Sequence, residues 1–193
     1  MSMVKLRRVG AAAFGGFVLT LILAGATTGT FNRNQKAFYT DANWVAFVRP
    51  GLIVKITSAE IAQDGSISTV FSLTDPQGLP LDRTGVSTPG AIALNFIAAH
   101  IPQGQHQYVD YVTRTATGAV SGTVTQAAAE SNGVFTPVGD VYRYTFTTRA
   151  PAGLDRATTH TIGIYASRDL TEFDLGTDYA STTFNFVPNG APV

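Results

Sequence analysis

Three histidines and one run of carboxylates are the residues of this 193-residue chain whose types and spacing could do chemistry. His100 and His106 flank the turn "IPQGQ" and can approach one another. Such a pair suits a metal only where carboxylates converge on it as well. The other reading makes these two, and His160, loop or strand-end histidines with satisfied hydrogen bonds, and no metal is assigned to them. "RDLTEFDLGTDY" places Asp169, Glu172, Asp174 and Asp178 close together. Calcium takes oxygen ligands from flexible loops, but the spacing is not that of an EF-hand and Arg168 can neutralise part of the charge. A solvated loop is the alternative.

Other chemistry has less to stand on. A serine nucleophile needs a strand-to-helix elbow and a partnered histidine, and neither "GAVSG" nor "STPG" leads into a helix. No pair of acids is singled out for glycoside hydrolysis. Tyr142, Tyr144 and Phe146 could form a sugar-stacking platform, although their alternation more simply gives one core face and one exposed face. The chain has no cysteine, which rules out thiolate catalysis, zinc–cysteine sites and covalent haem attachment within it. No catalytic or cofactor-binding residue is assigned, and the expectation is a non-enzymatic chain.

The elements that would position these residues read as strands. "LIVKITSAEI" (52–61) and "ISTVFSLTD" (67–75) flank the turn "AQDGS" as a hairpin, with Ile67, Thr69, Phe71 and Leu73 on one side. "DPQGLPLD" makes a tight turn and "RTGVSTPG" a longer loop. "AIALNFIAAHI" (91–101) alternates Ile92, Leu94, Phe96 and Ala98 and reads as a strand despite its alanines. "QYVDYVTRT" (107–115) reads as another. Residues 116–140 are rich in Gly, Ala and Ser without a sustained period, which predicts a long loop or irregular hairpin. "VYRYTFTTRAP" (141–151), "THTIGIYASRDL" and "STTFNFVP" complete about seven strands. The fold expected is all-β, an immunoglobulin-like Greek-key sandwich or split barrel.

Composition sets the frame around those strands. Hydrophobic residues make up 45% of the chain and charged residues 13%, enough for one domain with a sizeable core. Formal net charge is zero, and outside Lys5, Arg7 and Arg8 ten basic residues stand against thirteen acidic ones. No basic patch remains for nucleic acid. The opening residues carry those three cations, an apolar core from Val9 to Leu23, and the small residues Ala24, Gly25 and Ala26. This is the layout of a secretory signal peptide over 1–26. Ala26 stands where a lipoprotein signal needs cysteine. Residues 27–51 read as an aromatic-rich lead-in with a helical turn near Thr40 to Ala46, 52–187 as the β-sandwich, and 188–193 as the start of a linker. Without cysteine, stability must come from core burial.

In order along the chain, "GLIVKITSAEI", "FSLTDPQGLPLD", "NGVFTPVGDVYRYTFTTRAP", "THTIGIYASRDL" and "FNFVPNG" resemble the N-terminal β-domain of outer-membrane decahaem c-type cytochromes of the OmcA/MtrC type. The resemblance implies a following region of CxxCH motifs that attach haem c, reached through the linker at 188–193. It further implies a part in extracellular respiratory electron transfer. The β-domain would then pack on or shield the haem domain of the same polypeptide, or meet other outer-membrane cytochromes or a flavin shuttle. Localisation would be the outer membrane or cell surface, or the periplasm. The alternatives from the residues alone are a free-standing secreted adhesion or carbohydrate-binding sandwich and a periplasmic scaffold domain.

Overall fold

The computed structural model describes residues 31–120 and 122–193; the expected signal peptide lies outside the described residues. Ten strands follow a short helix, α1 (Ala42–Val48): β1 (Ile53–Ile61), β2 (Ser66–Thr74), β3 (Ile92–His100), β4 (Val109–Asp110), β5 (Thr113–Gly118), β6 (Gly122–Ala127), β7 (Val134–Val138), β8 (Val141–Arg149), β9 (His160–Asp169) and β10 (Thr177–Phe186). They form two four-stranded sheets, β1-β2-β8-β7 and β10-β9-β3-β4, and a separate ribbon, β5-β6. All pairings are antiparallel. With β1, β2, β3, β7, β8, β9 and β10 lettered A to G, the sheets are ABED and GFC, the immunoglobulin order. The fold is a sandwich, and no ladder among the described residues closes it into a barrel.

Alternation decides which faces meet. In β2, Ile67, Thr69, Phe71 and Leu73 are buried; in β3, Ile92, Leu94, Phe96 and Ala98 are buried; in β8, Tyr144 and Phe146 are buried. The period of two therefore turns one face of each strand inward. At the centre Phe96 stacks on Tyr144, ring centroids 3.6 Å apart and nearly parallel, and meets Phe71, Phe135 and Phe146 between 5.6 and 5.9 Å. Antibody domains cross-link their sheets with a disulfide at the core. Here aromatic rings occupy the core.

One acid is enclosed with these rings. Glu130 is buried and accepts hydrogen bonds from the Tyr144 hydroxyl (3.1 Å) and from the backbone N–H groups of Thr147 and Thr148. Burial alone would raise its pKa, yet these donors hold it below the ordinary value. Glu130→Ala leaves three donors unsatisfied, and a loss of about 3 kcal/mol is expected in urea denaturation at pH 7. The stability that the depressed pKa contributes is present above the free glutamate value near 4.5 and lost as pH falls through the folded value. The difference between wild type and variant should therefore narrow in acid.

Several segments differ from the sequence reading. The expected strand over 107–115 breaks at Tyr111, where the Asp110 carboxylate accepts from the Val112 N–H and the chain leaves the sheet. Of the long loop or irregular hairpin expected over 116–140, the hairpin is present as β5–β6, and the stretch also contains the edge strand β7. Neither carries an apolar period, because the ribbon is largely solvated on both faces and β7 is an edge strand. The turn of helix predicted near Thr40 to Ala46 runs instead from Ala42 to Val48, since Asp41 caps it by accepting from the Asn43 and Trp44 N–H groups. The last strand starts earlier than "STTFNFVP", at Thr177, with Gly176 at φ 81° turning the chain into it.

Candidate functional site

The histidines come together across the sheet. Register pairs His100, the last residue of β3, with His160, the first of β9, and His160 in turn with Phe186, the last of β10. Tyr111 joins from the other side. The ring centroids of His100 and Tyr111 are 4.9 Å apart, of His100 and His160 5.7 Å, and of Tyr111 and His160 5.9 Å. His106 sits exposed in the loop after β3, so the sequence pairing of His100 with His106 gives way to His100 with His160. The spacing "H-x59-H" carries no local signal; only the β3–β9 register reveals the pair.

His160 is 1% exposed. Its Nδ1 lies 2.9 Å from the carbonyl oxygen of Thr158, which can only accept, so the proton is on Nδ1 and the Nε2 lone pair faces inward. The buried atoms His160 Nε2, His100 Nδ1 and Tyr111 Oη have no hydrogen-bond partner among the described residues. Burial holds the His160 pKa below its ordinary value, with the neighbouring His100 adding to the shift, while the Thr158 carbonyl opposes it. Burial also pushes the Tyr111 phenol up. His100 and Tyr111 line a cavity of about 300 Å³. Pro102, Pro151, Leu154 and Asp155 contribute to its walls.

The four carboxylates of the second half are distributed over separate tasks. Asp169 accepts from the backbone N–H and hydroxyl of Thr171, Asp174 pairs with Lys36 at 2.7 Å, and Asp178 accepts from the Gly51 N–H at 2.7 Å. Glu172 is exposed. Among the described residues no group of three or more His, Cys, Asp or Glu side chains is placed to hold a metal ion. The aromatic residues of β8 share its inward face: Tyr144 and Phe146 are core, and Tyr142 is partly buried against it, stacked on Phe71 at 6.0 Å. They present no open platform for a sugar.

Arg168, read as able to neutralise part of that charge, does face Asp178, and it is wholly buried at the far end of β9. Its guanidinium donates to the carbonyl oxygens of Val48, Arg49, Gly51 and Pro89. Burial lowers its pKa, and the Asp178 carboxylate works against that shift. Arg49, held at φ 55°, pairs with the buried Asp75 at 2.7 Å. The lead-in is thus fastened to the sandwich through its backbone. Above that fastening the aromatic residues Tyr39, Trp44 and Phe47 stay exposed, with Phe173 5.6 Å from Trp44.

These features define an all-β, immunoglobulin-like domain with a buried imidazole–phenol cluster at one end and an arginine clamp at the other. No family model and no curated protein matches the chain. Among solved structures, MtrC from Shewanella baltica OS185 aligns with 75% of this chain and 23% of that one, at 22% identity and a TM-score of 0.49. The chain thus spans about a quarter of that protein's length. A likeness this distant assigns no activity.

Proposed function

We propose that this chain is a non-catalytic β-domain of an exported multihaem c-type cytochrome engaged in extracellular electron transfer. The supporting observation is that the segments resembling that family are the structural strands themselves. They supply β1, the end of β2 with its turn, the β7–β8 hairpin, β9 and the end of β10, and so contribute to both sheets. With no cysteine, the chain cannot hold haem through thioethers. Its contribution is to pack on, shield or position a haem-bearing region, or to meet a partner cytochrome or flavin shuttle, while the redox chemistry belongs to the cofactor. The site of action is the outer membrane, the cell surface or the periplasm. Among the described residues no helix is long and apolar enough to cross a membrane.

Reading the genomic frame beyond the codon for Val193 tests this. Several CxxCH motifs in that frame are the expected result. A correctly read frame without them, and neighbouring genes equally without them, would remove the proposal. The rival reading, a secreted carbohydrate-binding or adhesion sandwich, draws on the exposed Tyr39, Trp44 and Phe47; glycan-array binding abolished by Trp44→Ala would favour it.

A further inference from the structure

We propose that the His100–His160 pair is an acid-released latch on the end of the sandwich that holds the 151–158 loop and the C-terminal residues 187–193. The latch belongs to this chain whether or not a haem region adjoins it. Besides the Arg156 guanidinium, which donates to the Ile61 and Ala62 carbonyls, three attachments meet at this end. His160 Nδ1 donates to Thr158, the Ile101 N–H donates to the Thr159 carbonyl at 3.2 Å, and the Asn189 N–H donates to the Arg156 carbonyl at 3.1 Å. The loop therefore ties the end of β3 and the chain beyond β10 to the start of β9. Phe186 closes the group, its ring 5.8 Å from His160.

A second proton on His160 would go to Nε2, a buried atom with no acceptor among the described residues. The titratable and charged groups facing it are His100 from β3, Tyr111 from the β4–β5 link, and Asp155 and Arg156 from the loop; β10 presents Phe186. Asp110 on β4 engages the Val112 N–H. Asp155 is the one carboxylate in this set that favours the imidazolium, and it is exposed, while Arg156 and His100 oppose it. A buried cation so poorly compensated favours opening of the end over charging in place. The cavity lined by His100, Tyr111 and Thr158 lies beside the pair, on the side of the 151–158 loop.

The sign follows from linkage. The folded imidazole binds its proton more weakly than the open form, so protection is full above a pH of about 6.5 and falls below it, by roughly tenfold per pH unit until the folded value is reached. Hydrogen–deuterium exchange on the full chain at pH 7.5 and 5.5, corrected for intrinsic rates, reads this directly. Amides of 151–162 and 184–190 should open more at the lower pH, by up to about tenfold, while the end of the β1–β2 hairpin away from its turn, 53–56 and 71–74, stays unchanged. In His160→Gln, which cannot take up the proton, the pH response of these segments should disappear. If that variant fails to fold, His100→Gln should diminish the response, and in the wild type the amides of 151–158 should shift in NMR with the midpoint of His160. Equal protection at both pH values, a response spread evenly over the molecule, or a response that persists in the glutamine variants would overturn the latch.

Discussion

Arg168→Ala should lower the unfolding free energy by about 5 kcal/mol, among the largest single-residue effects in the chain. The arginine is 0% exposed, and its five hydrogen bonds end on four backbone carbonyls, those of Val48, Arg49, Gly51 and Pro89. Truncation leaves those oxygens enclosed without donors, at about 1–3 kcal/mol for each one that water does not reach. It also removes the positive charge facing Asp178. Lysine is a poor substitute, because an ammonium cannot reproduce the planar fork that reaches four acceptors at once. Arg168→Lys should recover less than half of the loss.

The readout separates local from global effects. Trp44 is the only tryptophan and lies on α1 in the lead-in, so its fluorescence reports that segment, while far-UV circular dichroism reports the sheets. In urea the wild type should show coincident transitions. In Arg168→Ala the Trp44 transition should move to lower urea ahead of the sheet transition. A loss under about 1.5 kcal/mol, or transitions that stay coincident at the wild-type midpoint, would mean that the lead-in does not depend on this side chain.

Phe96→Ala should cost about 4 kcal/mol, a typical figure for emptying a buried phenylalanine site. Phe96 is wholly buried, stacks on Tyr144 from the opposite sheet, and meets three further rings. Those neighbours are themselves large and close-packed, so the space collapses poorly. Phe96→Leu retains most of the apolar volume and should cost under about 2 kcal/mol. A similar loss for alanine and leucine would show that ring stacking, and not filled volume, is what matters at this position.

Much of the fold was legible along the chain, and for a physical reason. β2, β3 and β8 each bury one face and show the other to solvent or to the sheet exterior, so their inward residues recur at every second position. The turn "AQDGS" joins β1 to β2 as read, with Gly65 at φ 82°. Where a strand buries little, that pattern has no cause to exist. β5 and β6 pair only with each other in a ribbon that is mostly exposed, and β7 sits on an edge. Residues 116–140, from the end of β5 through β7, read as a long loop or irregular hairpin for that reason.

The candidate sites were less legible. Sequence proximity suggested His100 with His106 and grouped Asp169, Glu172, Asp174 and Asp178. The register of β3 and β9 brings His160 to His100 instead, and the carboxylates turn to Thr171, Lys36 and Gly51. The sequence by itself determined the all-β class, the inward faces of the main strands and the impossibility of thioether-bound haem, because alternation and residue type are local properties. Tertiary structure alone decided the partners of His100, the enclosure of Glu130 and the clamp made by Arg168. Those contacts join residues distant in the chain through strand register and backbone carbonyls, which leave no periodic trace in the order of amino acids.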